Sequence, residues 1–202
     1  PLYSSAASDV YKRQDLYSGE LSEYYIATDS RGQVDKGYGR ANWGENAITI
    51  LKEKGCNSLI DYGCGYGRFC DLATQSFDIV YGTDIASVAT DNIVKNKKIT
   101  FLDTDGASIN LPDNSVDWVT SFDCLEHIAE NDLHKVLMEF DRVSTKGFIV
   151  SVAFIPDNLG GVPLHLTIKP KKWWLSKLSN YGSVYETGSV PLTGLPYIVI
   201  EK

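Results

Sequence analysis

The sequence predicts an α/β fold, a doubly wound sheet of seven strands, mostly parallel and closed by a C-terminal antiparallel hairpin. Three observations predict it. Short apolar runs alternate with helical segments from Ser58 to Ala153. A glycine cluster follows the first of those runs. Two further stretches, Val184–Tyr185 and Tyr197–Glu201, read as paired strands at the end of the chain.

The elements follow in order. Asp15–Ile26 reads as a short helix and Arg31–Gly39 as a loop. Residues 42–54 form a helix, with Ala47, Ile48, Ile50 and Leu51 as its apolar stripe and Gly55 where a helix end favours glycine. Ser58–Asp61 is a buried strand, Gly67–Gln75 a helix, Ile79–Thr83 a strand, Ser87–Asn96 a helix and Ile99–Leu102 a strand. Asp117–Ser121 and Gly147–Ala153 are strands on either side of the amphipathic helix Asn131–Val143. Pro156–Pro163 reads as a loop and Lys169–Asn180 as the last helix. Right-handed crossovers then place any ligand outside the carboxyl ends of the strands, where strand order reverses.

Composition narrows the class. The chain has 202 residues, 43% of them hydrophobic, enough for one buried core. A formal net charge of -7 argues against a polyanion-binding surface, so nucleic acid is not an expected partner. No stretch is long and apolar enough to span a membrane, and no signal peptide is evident. Cys56, Cys64, Cys70 and Cys124 form no C-x-x-C pair and read as reduced thiols of a cytoplasmic protein. Ser4 to Gln14, SSAASDVYKRQ, resembles the in-frame translation of a sequencing adapter, which points to a metagenomic source. Residues 1–14 are therefore expected to be an assembly scar, or else a polar tail, and residues 15–202 a single domain.

The glycine turn carries the function. Gly63, Gly65 and Gly67 let the backbone bend sharply and approach a ligand closely. A dinucleotide fingerprint, G-x-G-x-x-G, would place its third glycine at Arg68. The pattern here is G-x-G-x-G with Asp61 before it, which disfavours a nicotinamide oxidoreductase. Asp84, ending the second strand, can accept hydrogen bonds from both hydroxyls of a ribose.

This arrangement resembles the first motif of the Rossmann-like class I, S-adenosylmethionine-dependent methyltransferases. The resemblance covers about Arg40 to Ala153 and includes the run Asp113–Val119 into the fourth strand. It implies that Asp61 holds the cofactor's cationic amino group. It implies too that Asp105, or in its place Asp103, meets the adenine together with Gly106. Cys64 in the turn, Ile85 beside Asp84, and Phe122 at the end of the fourth strand complete the implied cofactor contacts. Tyr38-Gly39-Arg40-Ala41-Asn42 resembles a segment whose Arg, here Arg40, contacts the cofactor's carboxylate.

The catalytic edge is Ser121-Phe122-Asp123-Cys124-Leu125-Glu126-His127. It contains neither the N/D-P-P-Y/F motif of amino-methylating nucleic-acid enzymes nor a Pro-Cys nucleophile. It resembles the E-x-x-E-H of ubiquinone-biosynthesis O-methyltransferases and of small-RNA 2′-O-methyltransferases; the wider type 11-like methyltransferases are the nearest group. That resemblance implies Mg²⁺ or Mn²⁺ on Asp123, Glu126 and His127, which share one face if the segment is helical, with His165 as a fourth ligand. Two other roles for His127 stay open, a metal-free base or substrate contact and a purely structural one.

The expected function is methyl transfer to an oxygen, with nitrogen second, of a small molecule or glycan. The alternatives are a nucleic-acid or protein methyltransferase and a non-catalytic cofactor-binding subunit. Trp173 and Trp174, beside Lys169, Lys171 and Lys172, read first as helix core with a solvated basic face and second as a stacking surface for substrate.

Overall fold

A computed structural model describes residues 41–85, 95–159, 162–191 and 193–202. The expected helix Asp15–Ile26, the loop Arg31–Gly39, the residue Arg40 and most of the helix Ser87–Asn96 lie outside them. The described helices are α1 (Ala41–Glu53), α2 (Arg68–Ala73), α3 (Glu130–Val143) and α4 (Lys171–Leu178). The strands are β1 (Ser58–Tyr62), β2 (Ile79–Thr83), β3 (Ile99–Leu102), β4 (Val116–Phe122), β5 (Ser144–Ser151), β6 (Asn158–Leu159), β7 (Val162–Pro163), β8 (Ser183–Thr187) and β9 (Tyr197–Glu201).

Seven strands form one sheet in the order β3-β2-β1-β4-β5-β9-β8. The first five are parallel, and β9 and β8 run antiparallel to their neighbours. Strand order reverses between β1 and β4, so the crevice for a ligand lies at their carboxyl ends. Consecutive residues of the central strands feed opposite cores, as the twofold side-chain period requires. Leu59, Trp118, Ile149 and Val199 pack with Leu51 of α1 and Phe69 of α2. Ile60, Val119, Phe148 and Ile198 pack with Leu137 and Phe140 of α3 and with Trp174 of α4.

The boundaries differ from the expected ones where polar residues do structural work. β5 starts at Ser144, directly after α3, instead of at Gly147. The Ser144 hydroxyl donates to the Phe140 carbonyl at 2.7 Å, which ends the helix, and Ser144 already pairs with Val116. α4 starts at Lys171 because Lys169 precedes a proline and is biased away from helical angles. The expected loop Pro156–Pro163 contains a small hairpin, β6 with β7. Trp174 is fully buried, while Trp173 is half-buried against it with Lys169 and Lys177 over its ring, so the core reading of this helix holds. Among the described residues no helix is long and apolar enough to cross a membrane.

Gly147 makes the antiparallel join possible. Its φ is +140°, and a Cβ there would stand 1.8 Å from the Ile200 carbonyl oxygen of β9. Gly147→Ala is expected to lower unfolding stability by roughly 3 kcal/mol, read from urea denaturation. An unchanged midpoint would contradict this β5–β9 register.

Candidate active site

The turn between β1 and α2 is fixed by its own backbone. Gly63, Gly65 and Gly67 have φ values of 76°, 53° and 73°, which favour residues without a Cβ. The Gly63 and Cys64 N–H groups both donate to the Thr83 carbonyl of β2, at 2.9 and 3.0 Å. The Gly65 N–H donates to Asp84 Oδ2 at 2.8 Å. Asp84 is thereby anchored to the turn, with half-buried Ile85 next to it. A Cβ on Gly63 would lie 2.4 Å from the Cys124 sulfur, so the turn and the segment after β4 approach closely. The Cys64 thiol is buried against that of Cys70, and all four cysteines are free.

Asp61, the penultimate residue of β1, is almost completely buried, at 3% exposure. Its Oδ1 accepts a hydrogen bond from Thr120 Oγ1 at 2.7 Å. Burial pushes its pKa up to about 7; the Thr120 hydroxyl pulls it down and the charge of Asp84 pushes it up. The fold has thus buried a carboxyl at the switch point with a hydroxyl for company and an acid nearby. Sequence reasoning missed Thr120, which looks like any other residue of a buried strand.

The loop after β3 is also pre-shaped. Asp105 Oδ1 accepts hydrogen bonds from the Ala107 N–H, the Ser108 N–H and the Ser108 hydroxyl at 2.8–2.9 Å. Partial burial pushes the Asp105 pKa up, and these hydrogen bonds outweigh it and hold the carboxyl below its ordinary range. Asp103 is exposed just past β3. The Tyr62 hydroxyl at the end of β1 donates to the Gly106 carbonyl at 2.7 Å and ties this loop to the turn. On the far side of the loop, Arg142 of α3 donates to the Ile109 and Leu111 carbonyls. Phe122, expected at the cofactor, packs in the core edge-on to Phe69 and Tyr197, at 5.1 and 5.6 Å.

The segment after β4 is not an α-helix, the condition on which Asp123, Glu126 and His127 would share one face. The Asp123 N–H extends the ladder to Ser151, and Asp123 then turns at φ 53° into a single 3-10 turn, Leu125–His127. Glu126 is fully buried, and its Oε1 accepts the Ala153 N–H at 2.6 Å. Its Oε2 meets no N–H or O–H donor and lies against Asp123. Burial, and after it the neighbouring Asp123, push its pKa well up.

His127 and His165 are brought together, edge to face with ring centroids 4.8 Å apart. His127 Nδ1 bonds the Leu164 carbonyl at 3.1 Å, and His165 Nδ1 bonds the Ile155 carbonyl at 2.6 Å. Residues 164–167 are braced on the 3-10 turn, where the Leu166 and Thr167 N–H groups both donate to the Glu126 carbonyl. The residues expected to hold a divalent ion fall into two pairs, Glu126 beside Asp123 and His127 against His165. Among the described residues no three His, Cys, Asp or Glu side chains are grouped to hold an ion. The physical reason is that Glu126 turns inward to a backbone amide, so the helical face that would align the ligands is absent.

Comparison with known proteins bears on the whole arrangement. Residues 60–151 match a family model described as a methyltransferase domain. A curated relative, ajmaline N-methyltransferase from Rauvolfia serpentina, is 26% identical over 153 residues, covering 65% of this chain and 51% of the relative. The chain thus spans about half the length of that relative. Magnesium protoporphyrin IX methyltransferase from Synechocystis PCC 6803, solved with bound S-adenosylmethionine, superposes with a TM-score of 0.71 at 19% identity, covering 98% of this chain and 97% of that one. Phosphoethanolamine N-methyltransferase 1 from Haemonchus contortus superposes with a TM-score of 0.64 at 13% identity, over 95% of this chain and 49% of that one. Residues 60–151 thus match a methyltransferase domain, and the superpositions show that the described fold is shared with these methyltransferases.

Proposed function

We propose that this chain transfers the methyl group of S-adenosylmethionine to an oxygen, with nitrogen second, of a small molecule or glycan, and that His127 is the base that prepares the acceptor. One observation carries the catalytic part. The Leu164 carbonyl can only accept, so the hydrogen bond to it puts the proton on His127 Nδ1 and the basic lone pair on Nε2. This imidazole lies just past β4, on the same sheet edge as the glycine turn and Asp61.

The residues present fit the cofactor. Asp61 is a buried acid suited to an ammonium group, and Gly63 lets the turn approach the segment after β4 so closely that a Cβ would meet the Cys124 sulfur. Asp61 would hold the ammonium and Asp84 the ribose. The turn backbone at Cys64 and Gly65 would line the cofactor beside Ile85. Asp105 and Gly106, with Asp103 as the other acid of that loop, would meet the adenine. Arg40 is proposed for the carboxylate on the resemblance alone. When bound, the cofactor supplies a methyl group already activated on a sulfonium. The chain's own part is to orient the acceptor, which can contribute on the order of 7–11 kcal/mol at best, and to remove its proton.

No step is assigned to Mg²⁺ or Mn²⁺, since no three of the side chains that would bind the ion are grouped among the described residues. The name of the curated relative keeps nitrogen as the second reading. The net charge of -7 sets nucleic acid below a small acceptor. A protein acceptor and a non-catalytic subunit are the remaining alternatives.

The test is methyl transfer from labelled S-adenosylmethionine to a panel of phenols, sugars and amines. His127→Gln should lower kcat about 10²–10³-fold with S-adenosylhomocysteine affinity unchanged. EDTA should leave turnover intact. Wild-type kcat in the variant would remove His127 as base, and loss of turnover in EDTA would restore the metal.

The pH dependence of binding follows from Asp61. The folded, ligand-free pKa of about 7 lies above the ordinary 3.8, so ionising this group opposes folding as pH rises between those values. An ammonium ligand needs the ionised form. S-Adenosylhomocysteine affinity should therefore be greatest just above pH 7 and fall about tenfold per pH unit below it, by calorimetry. A flat profile from pH 5.5 to 7.5 would contradict the role given to Asp61.

A further inference from the structure

Thr120 sits directly opposite Asp61 in the β1–β4 register, at the switch point of the sheet, and is fully buried. Its Oγ1 lies 2.7 Å from Asp61 Oδ1 and 3.4 Å from the Ile60 carbonyl. A hydroxyl has one hydrogen to give, and the shorter contact, to the carboxyl, takes it. The other groups that bear on Asp61 are Asp84 at the end of β2 and the thiols of Cys64 in the turn, Cys70 in α2 and Cys124 past β4. None of these is a cation. A valine would fill the same space and pack on the same neighbours without a donor.

From this juxtaposition, and resting on the ammonium role proposed for Asp61, we infer that Thr120 is a positioning residue whose hydroxyl orients the Asp61 carboxylate toward the ligand's ammonium and stabilises its charged form. The geometry gives it that role alone among the described side chains around Asp61. The direction of its effect agrees, since Thr120 pulls the Asp61 pKa down while burial and Asp84 push it up. Hydrogen bonds to charged groups are stronger than neutral ones, and a buried carboxylate left without its donor bears the full cost of desolvation.

The test is calorimetric titration of the full chain with S-adenosylhomocysteine between pH 5.5 and 8, for the wild type, Thr120→Val and Thr120→Ser. 5′-Methylthioadenosine, which has the adenosine but no ammonium, is the parallel probe. Thr120→Val should weaken S-adenosylhomocysteine binding about tenfold or more at pH 7 and move the pH midpoint up by about one unit. It should leave 5′-methylthioadenosine affinity unchanged, and Thr120→Ser should restore both properties. In an Asp61→Asn background, Thr120→Val should add no further loss. Equal weakening of both ligands, or an unmoved midpoint, would overturn the inference. If the valine variant does not fold, Thr120→Ala carries the same comparison. A wild-type profile without pH dependence would count against Asp61 itself, and so separates failure of that reading from failure of this one.

Discussion

Burying an ionisable carboxyl near the end of a central strand opposes folding unless something meets its charge. Asp61 is in that position, 3% exposed, with Thr120 as its hydrogen-bond partner and Asp84 adding like charge. Strand β1 cannot avoid this placement. It lies between β2 and β4 at the point where strand order reverses, which puts Asp61, one residue before its end, beside the ligand crevice. A cationic ligand group relieves the strain that the fold alone leaves in place. On the role proposed for Asp61, cofactor binding and fold stability would be linked through this one side chain.

The glycine turn translates that constraint into shape. Two of its N–H groups share the Thr83 carbonyl and a third is held by Asp84, so the loop is pinned to β2 before any ligand arrives. Its three positive φ angles keep the chain close to the segment after β4, where Cys124 fills the space a Gly63 Cβ would need. Tyr62 carries the connection to the loop after β3 through the Gly106 carbonyl. The glycine turn, the loop after β3 and the segment after β4 therefore meet along one edge of the sheet. Past β4, the Glu126 carbonyl receives the Leu166 and Thr167 N–H groups, which brings His165 onto the ring of His127.

Much of this was legible in the sequence because it depends on period and punctuation. Strands β2, β3 and β9 fall on the expected residues, since each is a short apolar run between clear breaks. Trp174 as core followed from helical spacing. What was not legible depends on single dihedrals and on tertiary partners. The spacing of Asp123, Glu126 and His127 suits a helical face, but a φ of 53° at Asp123 and the pull of the Ala153 amide on Glu126 break that face. Ser144-Thr145-Lys146 reads as a polar link, yet it enters the sheet because Ser144 caps α3 and pairs with Val116 at once. Thr120 gave no signal at all, because its importance comes from the residue opposite it on β1.

The central claim is that the turn at Gly63, Gly65 and Gly67, with Asp61 behind it, selects an adenosine ligand bearing an ammonium group over one bearing a pyrophosphate. Calorimetric titration of the full chain at pH 7.5 with S-adenosylhomocysteine and, separately, with NAD⁺ tests it most directly. The expected result is saturable binding of one S-adenosylhomocysteine per chain and no measurable heat with NAD⁺. Saturable binding of NAD⁺, or none of S-adenosylhomocysteine by the folded chain, would contradict it.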